Sequence, residues 1–566
     1  MDLSNQSISA SSVSLCTVFD EACKYDIRAY FPLLVHTLCK AALSIVMLFV
    51  ATYLFTSCRF HWTSGHDSRF RGREPPTLPY WIPWLGNAWS MVTDPHKFYE
   101  KTLAKRPDNG PVTMRLGPIS MYLIFGAENV QAIFRNSRSL SFEFMQLRIA
   151  EKVKGLPQSD KAKLGLDDSG SGSVPLNEQR GDERIWHNLH SIYLKNLTER
   201  SAVDFLTHKF VAEFAKQLDA LPWTQSTTGL YAFLQRYQFN ASTITLVGPR
   251  ILDYGKGSDD KAENQLQFSG TFWEYDAAFM TLMQGMPRFM CRKGWAARDR
   301  TLEATRMWLR EATEAASKEG KDADPEWDEN FGHRLVRERN AELVKYGISF
   351  DGRAAMHMGL IWAINANAVP MTAYILFELT RDPALLQRVR SEIRVGAVFP
   401  HGVGQLDKVD IAALVKLPLL NSVYSECLRL RSSIPISRRL HEDVVIDGYT
   451  LKKDSFLLAP SWLSHMNEEV WAPRGSSSTT RGGYIPGAQE FWAERVICPG
   501  RFFAKHEILA AVAMIVTRFD LGFEGYSMLD GTTPSDRGPG MEKAECRGIV
   551  SLDRDMVVNM RRRDGY

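Results

Sequence analysis

The fold is decided by FWAERVICPGRFFA, residues 491–504, near the end of a chain of 566 residues. Within it, Cys498 directly precedes Pro499-Gly500 and an apolar helical pattern. Backbone N–H groups and the dipole at the start of a helix stabilise an anionic thiolate at such a position. A thiolate is a stable ligand for ferric haem, and by pushing electron density onto the iron it favours O–O cleavage. We therefore predict that the sulfur of Cys498 binds haem iron.

The composition argues against several other classes of protein. The eight cysteines show no CxxC pair and no regular spacing, which argues against a disulfide scaffold and a structural zinc site. The net charge is only +3 with scattered basic residues, so there is no electrostatic footprint for nucleic acid. With 45% hydrophobic and 23% charged residues, the chain can bury a substantial core. We expect a folded protein that does not bind nucleic acid.

A long apolar run lies near the N-terminus. Residues 41–58 carry no charge, and mostly apolar residues extend the run back to Phe31. At ~1.5 Å per residue, this length crosses a hydrocarbon layer of ~30 Å. About thirty residues of mixed character precede it, which argues against a cleaved signal peptide. We predict one transmembrane helix over residues 31–58.

The charges that flank this helix predict its orientation. Basic residues dominate after it, whereas acidic and basic residues are mixed before it. The arginines that follow are Arg59, Arg69, Arg71 and Arg73. A basic bias places the larger, C-terminal part in the cytosol. Residues 1–30 would then be lumenal, with Asn5 available for glycosylation. We therefore expect a single-pass protein of the endoplasmic reticulum membrane with a cytosolic catalytic domain.

A proline-rich connector follows the apolar run. Four prolines within residues 75–83 cannot continue a helix and favour an extended, stiff chain. Residues 59–84 are therefore predicted to form a basic and Pro-rich hinge. The remaining residues, 85–566, show no convincing second boundary and are predicted to form one catalytic domain.

Local patterns in this domain predict mostly helices. Residues 111–125 contain two short β-rich runs around Gly117-Pro118, which is typical of a hairpin. Helical patterns cover residues 353–379 and 417–430. The Gly- and Ser-bearing stretch of residues 155–183 predicts a mobile surface loop. The predicted fold is mainly α with a minor β-sheet region, behind one N-terminal transmembrane helix.

The segment around Cys498 resembles the haem-binding loop of the cytochrome P-450 superfamily, whose pattern is FxxGxRxCxG. Phe491, Cys498 and Gly500 match this pattern, whereas Glu494 stands in place of a glycine and Val496 in place of a usual basic residue. The resemblance extends over roughly residues 75–555. It implies the cytochrome P-450 fold and haem b as cofactor, with Cys498 as the axial thiolate and Phe491 and Gly500 beside it.

Upstream, Glu426-Cys427-Leu428-Arg429 matches the ExxR motif on the K helix of the family. Glutamate and arginine three residues apart share a helix face and can form a salt bridge. An ordinary exposed pair is the alternative interpretation, but the position of the motif before Cys498 favours the family. The resemblance implies a structural role for Glu426 and Arg429, as a buried pair that supports the haem-side core.

Two further segments resemble positions that bind haem propionates in the family. Arg438 lies in a predicted strand, and a guanidinium suits bidentate carboxylate binding; Arg439 is the alternative. Trp186 and His190 resemble the family motif WxxxR, with histidine in place of the usual base. Both side chains can hydrogen-bond a propionate. A packed tryptophan and a surface histidine are the alternative interpretation of that pair.

The helical pattern over residues 361–372 resembles the I helix, which passes over the haem in the family. Most oxygenases of the family carry an acid–threonine pair there, but this chain has Ala366-Asn367. The asparagine can hydrogen-bond but has no acid proton to supply. Asn367 followed by Pro370 resembles the branch with sterol 7α-hydroxylases, sterol 12α-hydroxylases and prostacyclin synthase, which contains oxygenases and an isomerase. The resemblance implies that Ala366 and Asn367 are catalytic-site residues.

The resemblance implies NADPH-dependent monooxygenation of a small lipophilic substrate at the membrane, with electrons from an NADPH-cytochrome reductase. By analogy, the substrate would be a terpenoid, steroid-like or polyketide intermediate of fungal secondary metabolism. One alternative is a haem-thiolate isomerase or dehydratase that rearranges a peroxide without a reductase. Another is a haem-poor pseudoenzyme with a binding role.

The residues before Cys498 depart from the family pattern. Family members carry a Gly-rich stretch there, because the backbone must approach the porphyrin closely. Here Trp492, Ala493 and Glu494 occupy that place. Three explanations compete: a rearranged but working loop, a gene-model error that replaced the glycines, or a protein that holds haem poorly. The predicted fold is the same in all three cases, whereas catalytic competence is not.

Overall fold

The computed structural model describes residues 27–64, 72–136, 138–176, 183–253, 261–318, 325–399, 408–433, 435–466, 498–540 and 548–563. In these residues a helical body carries two main sheets. The prediction of a mainly α fold with a minor β-sheet region is therefore confirmed.

The helices supply most of the body. They are α1 (Ile27–Thr63), α2 (Ala88–Thr93), α3 (Pro95–Lys105), α4 (Ala127–Arg135), α5 (Glu143–Lys152), α6 (Gln158–Gly165), α7 (Ile185–Thr198), α8 (Arg200–Asp219), α9 (Leu230–Val247), α10 (Lys261–Ala277), α11 (Phe279–Met283), α12 (Arg292–Lys318), α13 (Arg334–Lys345), α14 (Phe350–Arg381), α15 (Pro383–Gly396), α16 (Ile411–Leu414), α17 (Pro418–Arg431), α18 (Ser461–His465) and α19 (Arg501–Arg518).

The strands are short. They are β1 (Val112–Leu116), β2 (Ile119–Leu123), β3 (Leu140–Ser141), β4 (Gln225–Gly229), β5 (Trp327–Asp328), β6 (Gly332–His333), β7 (Val398–Phe399), β8 (Lys408–Val409), β9 (Pro435–Leu440), β10 (Val444–Ile446), β11 (Tyr449–Leu451), β12 (Phe456–Pro460), β13 (Phe519–Met528), β14 (Pro534–Ser535) and β15 (Arg554–Arg562). One sheet has the order β1-β2-β12-β9-β3, and another has the order β14-β13-β15-β4.

Helix α1 is longer than the predicted span of residues 31–58. It begins at Ile27 and continues to Thr63, because no glycine or proline follows Cys58 before Gly65. Its part Val35–Thr63 is long and apolar enough to cross a membrane, and its most apolar 18-residue stretch is not buried within the protein, whereas Thr56 and Phe60 near its end are buried. Helix α14 passes the same test of length and composition but is largely buried, so it is a core helix.

The proline-rich hinge joins α1 to the body. The rings of Tyr53 and Trp81 stack with their centroids 4.2 Å apart. Farther along, the N–H of Leu78 donates to the Thr113 carbonyl at 2.8 Å, and the N–H of Thr113 donates to the Pro76 carbonyl at 2.9 Å. These contacts attach the extended connector to the edge of β1.

The hairpin and the two predicted helices are confirmed. Strands β1 and β2 pair antiparallel, with Leu116 opposite Ile119. Gly117 in their turn has φ +62°, a left-handed conformation that glycine adopts without a Cβ clash. Helix α17 begins at Pro418, where the missing N–H costs no intrahelical bond.

The prediction of a mobile loop over residues 155–183 is wrong in part. Helix α6 occupies its first half, and the side chain of Asp167 is buried. Buried Arg184 donates to the carbonyls of Gly170, Gly172 and Ser173. A guanidinium with five donors can gather several carbonyls at once, which is why this Gly- and Ser-bearing stretch has a defined path up to residue 176.

Helix α14 organises the core around the candidate site. The side chain of Ser349 accepts the N–H of Gly352 at its start, and Asp382 follows its end and caps α15. Helix α14 packs against α9, α12 and α19, while α5 packs against α14, α11 and β9. Helix α7 packs against α19. The segments singled out in the sequence therefore converge on α14 and α19.

Candidate active site

Cys498 lies just before α19, as predicted. It is a free cysteine. Protein atoms around its sulfur raise the pKa of Cys498, and the N–H groups of Gly500 and Arg501 and the charge of Arg501 oppose that rise. The start of α19 thus offsets part of the cost that burial imposes on the anionic form of the sulfur. Phe491, and the crowded residues that follow it, lie outside the described residues.

Gly500 acts on the Cys498 sulfur through its backbone N–H, and its backbone conformation is an ordinary one. It is the residue that precedes α19, with φ −73°. A methyl group built on it would lie 3.7 Å from the Cys498 sulfur, an ordinary van der Waals distance. What Gly500 provides in this structure is the N–H directed at the sulfur.

The structure separates Arg438 from its alternative, Arg439. Arg438 on β9 is 7% exposed, and one of its N–H groups donates to the Ser437 carbonyl at 2.8 Å. Arg439 points to the other face of the strand and pairs with Asp454 at 3.0 Å on the surface. Within the described residues, no carboxylate lies within ion-pair distance of Arg438. Burial lowers the pKa of Arg438 to about 10, with Glu143 opposing the shift, so the guanidinium is charged at neutral pH.

His190 shares the electrostatic neighbourhood of Arg438. Burial lowers the pKa of His190, the neighbouring His187 lowers it further, and Glu143 opposes both. Glu143 acts on His190 and on Arg438 alike, so both predicted propionate ligands lie within electrostatic range of the same carboxylate. Neutral His190 can donate one ring N–H there.

Trp186 is buried one helical turn before His190 on α7, at 5% exposure. Its indole N–H donates to the Leu164 carbonyl at 3.1 Å. That donor is therefore engaged by the backbone in this structure. The packing that results holds α7 against α6 and fixes where His190 lies.

Glu426 and Arg429 form the predicted salt bridge. Their two hydrogen bonds measure 2.6 and 2.9 Å, and Arg429 also donates to the His465 carbonyl at 2.6 Å. The expectation of a buried pair is wrong for Glu426, whose side chain is 57% exposed against 18% for Arg429. Both residues lie on one face of α17, but the Arg429 side chain reaches the His465 carbonyl of α18, whereas the Glu426 side chain stays exposed one turn earlier. The pair joins α17 to α18, which is a structural role.

Helix α14 is open along one short strip at its centre. Ala363 is exposed, and Trp362, Ile364 and Asn367 are half-buried, although most of the helix is buried. We call these four residues the open strip. Ala363 and Ile364 precede Asn367 by four and three residues, so these three share a helix face, and Trp362 borders that face next to Ala363. Ala366, four residues after Trp362 and three after Ala363, lies beside the open strip but is only 6% exposed. Ala363 is the functional candidate that the sequence did not single out.

Asn367 is tied to the C-terminal segment. Its side-chain oxygen accepts the N–H of Ile549 at 3.0 Å. Gly548 lies so close that a methyl group there would overlap the Asn367 amide. The carboxamide thus positions residues 548–549 beside the open strip and leaves its NH₂ group as a donor.

Pro370 changes the hydrogen bonding of α14 at Ala366. The helix continues through Pro370, yet proline has no N–H, so the carbonyl of Ala366 four residues earlier receives no helical hydrogen bond. Thr372 bonds back to the Ala368 carbonyl at 3.0 Å. A carbonyl without its helical partner is an acceptor for water or ligand next to Asn367.

An aromatic contact covers the open strip. Phe279 of α11 stacks on Trp362 with ring centroids 4.4 Å apart, and the Trp362 N–H donates to Asp276 at 2.9 Å. Both partners belong to the segment of residues 272–290, FWEYDAAFMTLMQGMPRFM. This segment forms an apolar roof over one end of the strip.

The described residues fit a haem bound through Cys498. The sulfur receives backbone N–H groups, and a buried guanidinium without a carboxylate partner in the described part of the chain matches an acidic propionate. Helix α14, with its open strip, packs directly against α19. Haem needs a sulfur ligand for its iron, a cation for its propionates and room beside a helix. Cys498, Arg438 and the open strip of α14 are the residues proposed to provide them.

Comparison with known proteins gives concordant results. A family model described as Cytochrome P450 matches residues 75–475. The cytochrome P450 monooxygenase calL of Penicillium decumbens is 31% identical over 514 residues, covering 87% of this chain and 93% of its own. The cytochrome P450 monooxygenase efuG of Hormonema carpetanum is 26% identical over 570 residues, which cover 89% of this chain and 94% of its own. Cholesterol 7-alpha-monooxygenase of Cricetulus griseus is 24% identical over 507 residues, which cover 82% of this chain and 90% of its own.

These likenesses confirm the resemblance drawn from the motifs, including the branch with sterol 7α-hydroxylases and the presence of fungal relatives. The matched family region ends at residue 475, before the ligand loop. Residues 491–497 therefore lie outside the region that the family model matches.

Proposed function

Because the chain belongs to the cytochrome P450 family and is a P450 monooxygenase, we propose that it oxidises a lipophilic substrate with O₂ and with electrons that an NADPH-cytochrome reductase supplies. The substrate would be a terpenoid, steroid-like or polyketide intermediate of secondary metabolism. The observation that carries this proposal is the open strip of α14, roofed by the apolar segment around Phe279. Such a face, apolar with a few polar groups, suits an apolar substrate.

The residues proposed to hold haem b are those of the candidate site. Cys498 is the iron ligand, with the Gly500 N–H directed at its sulfur, and Arg438 and His190 bind the propionates. Phe491 is a further proposed contact, Trp186 holds α7 in place through its bond to the Leu164 carbonyl instead of binding a propionate, and Glu426 with Arg429 supports the fold. Haem bound in this way supplies O₂ activation, in which one oxygen atom enters a substrate C–H bond and the other leaves as water.

Proton delivery is proposed to run through water at the centre of α14. The Ala366 carbonyl lacks a helical donor because of Pro370. The NH₂ group of Asn367 lies one residue farther, and its oxygen is fixed by Ile549. An acceptor and a donor side by side can hold a water molecule in a set orientation. Asn367 therefore orients the proton-carrying water rather than supplying the proton itself.

The same observation favours one alternative. A haem-thiolate isomerase or dehydratase that acts on a peroxide needs no delivered protons, and α14 has a carboxamide where an acid would be expected. The two functions differ in their need for NADPH and reductase. A haem-poor protein would show neither activity.

Asn367 provides the test that separates these functions. We expect Asn367→Ala to form about two- to tenfold less product per NADPH consumed, the equivalent of one lost hydrogen bond, while haem stays bound. Asn367→Asp keeps an acceptor for the Ile549 N–H and adds an acid, so it should retain coupling. NADPH oxidation and product are followed together, with purified reductase and a panel of terpenoid, steroid and polyketide compounds.

A parallel arm of the assay contains neither reductase nor NADPH and uses a lipid hydroperoxide as the substrate. Product in that arm, with none in the NADPH arm, would establish the isomerase and remove the monooxygenase proposal. Unchanged coupling in Asn367→Ala would leave Asn367 with only its contact to residues 548–549.

Helix α1 is proposed to anchor the protein in the endoplasmic reticulum membrane, with the catalytic domain of residues 85–566 in the cytosol. The most apolar stretch of its part Val35–Thr63 is not buried, and basic residues follow it. Residues 1–30 would be lumenal, and the hinge of residues 59–84 would hold the body near the membrane. Asn5 lies outside the described residues, and its glycosylation is proposed from the same orientation.

Removing most of the span should release the protein. Deleting residues 1–52 keeps Tyr53, which stacks on Trp81, and Phe60, which is 1% exposed. The full-length protein is expected to stay with membranes washed in alkaline carbonate, whereas the shortened protein should leave them. A full-length protein that carbonate extracts completely would disprove the spanning helix. A mobility shift of the full-length protein with glycosidase, lost in Asn5→Gln, checks the orientation.

A further inference from the structure

Two positive side chains lie beside the N-terminal half of α14. The side chain of Lys154, just after α5, lies against Gly359, where a methyl group would sit 2.6 Å from Lys154 Cδ. Arg339 of α13 is 2% exposed, donates to the Met356 carbonyl at 2.9 Å and contacts Nδ1 of His357 at 3.1 Å. In the described ranges of the chain, no carboxylate lies within ion-pair distance of Lys154 or Arg339.

The electrostatics of Lys154 are those of a charge that lacks a counter-ion. Burial lowers the pKa of Lys154 to about 8, and the charge of Arg339 contributes to the decrease. The amine is therefore still protonated at neutral pH. A half-buried ammonium beside a guanidinium is unfavourable unless an anion joins them. The described residues provide the two cations, Lys154 and Arg339, so the anion would be supplied by a bound ligand.

Lys154 lies at the edge of the open strip. Gly359 precedes Trp362 and Ala363 by three and four residues, so the three share a helix face. Helix α5, from which Lys154 emerges, packs against α14 and also against α11. Phe279 of α11 is the residue that covers Trp362. The Lys154 side chain thus lies on the face of α14 that carries the open strip, one turn before the exposed Ala363.

We propose that Lys154 binds a carboxylate of the substrate, and that the substrate is an amphiphilic carboxylic acid whose apolar body lies along the open strip. This inference rests on the proposed function, because it takes the open strip as the substrate side of the site. At ~1.5 Å per residue, Ala363 lies ~6 Å and Asn367 ~12 Å along α14 from Gly359. The oxidised carbon is therefore on the order of 10 Å from the carboxylate.

Gly359 is the residue that admits the lysine. Its missing side chain lets the Lys154 chain lie directly on α14. Alanine at this position favours the helix but overlaps the lysine, so the ammonium must move. Gly359→Ala therefore displaces the charge without removing it. This makes the variant independent of any effect that the loss of a lysine has on folding.

Binding of dansyl-undecanoic acid and of its methyl ester tests the inference. Fluorescence titrations use the full-length protein in phospholipid nanodiscs, with empty discs as the blank. Wild type should bind the acid about tenfold or more tightly than the ester, the worth of one charge-assisted hydrogen bond. Lys154→Met and Gly359→Ala should bind both forms alike. The control Lys152→Met removes an exposed lysine that pairs with Glu151 at 3.2 Å and should keep the preference.

Thermal unfolding without ligand gives a second readout. If the role of Lys154 is to bind the ligand, Lys154→Met removes the repulsion between Lys154 and Arg339 and should raise Tm. A lower Tm would assign Lys154 to the fold and overturn the inference. Equal affinities for acid and ester in wild type, or no binding of either, would overturn it as well.

Haem content and NADPH-driven turnover of the same samples separate this inference from the proposed function. A protein that holds haem and turns over, yet does not prefer the acid, contradicts only the role of Lys154. A protein without haem or turnover that still prefers the acid contradicts only the monooxygenase function.

Discussion

Replacing Arg438 with glutamine should weaken haem binding by about ten- to a hundredfold, whereas the same change at Arg439 should leave it unaltered. The expected loss is that of a hydrogen bond to a charged group, roughly 1.5–3 kcal/mol. Arg438 is buried with no carboxylate partner among the described residues, so an incoming propionate gains its full interaction. Arg439 already pairs with Asp454 on the surface.

The measurement compares haem retention in the two variants. Purified protein is mixed with excess apomyoglobin, and the transfer of haem is followed by absorbance. Arg438→Lys keeps the charge but not the planar fork, so it should lose less haem than Arg438→Gln. Equal transfer rates for Arg438→Gln and Arg439→Gln would contradict a propionate role and leave Arg438 as a packing residue near Phe142.

The stability of the haem-free protein gives an independent readout. Glutamine removes a buried, unpaired charge, so apo Arg438→Gln should unfold at a temperature equal to or above that of apo wild type. A fall in Tm would show that Arg438 stabilises the fold without haem.

The local elements could be predicted because their signals are local. The hairpin at Gly117 follows from turn chemistry, and α14 and α17 follow from apolar periodicity and from Pro418. Their ends differ from the predicted ones by a few residues, since caps such as Ser349 add turns that periodicity does not count. The path of residues 155–176 was missed, because it depends on Arg184, a residue outside that segment.

The choice between Arg438 and Arg439 could not be made from sequence. Adjacent strand residues point to opposite faces, and which face is inside depends on the pairing of β9 with β12, where Arg438 faces Leu457. That register is a tertiary property. The exposure of Glu426 was missed for a similar reason, because the family motif predicts the pair but not its surroundings.

Ala363 and Lys154 escaped the sequence analysis because neither belongs to a motif. Burial is what makes them informative: one is an exposed alanine in a buried helix, and the other is a partly buried ammonium without a carboxylate. One sequence signal was available. Gly359 lies inside an apolar helix, and a glycine there indicates that another group approaches the backbone closely.

The largest effect is expected at Cys498. Replacing it with serine exchanges a soft thiolate for a poor iron ligand, so the carbon monoxide difference band of thiolate-ligated ferrous haem should disappear. Cys427→Ser is the matched control. Burial raises the pKa of Cys427 to about 12, so that thiol stays neutral and its replacement should leave the band intact.

The ligand loop requires a third variant. Trp492, Ala493 and Glu494 stand where the family has its Gly-rich stretch, and side chains there hinder a close approach to the porphyrin. A variant with glycine at these three positions removes that hindrance. If the native loop gives no band and the glycine variant does, Cys498 is the ligand and the native loop is defective.

The carbon monoxide difference spectrum of the full-length protein, recorded beside Cys498→Ser, Cys427→Ser and the glycine variant, tests the haem-thiolate assignment most directly. We expect the band in the wild type or in the glycine variant. In whichever of these two proteins shows the band, Cys427→Ser should keep it. Cys498→Ser should abolish it. A folded protein that shows no band with either loop, or a band that survives Cys498→Ser, would contradict Cys498 as the iron ligand and the monooxygenase function with it.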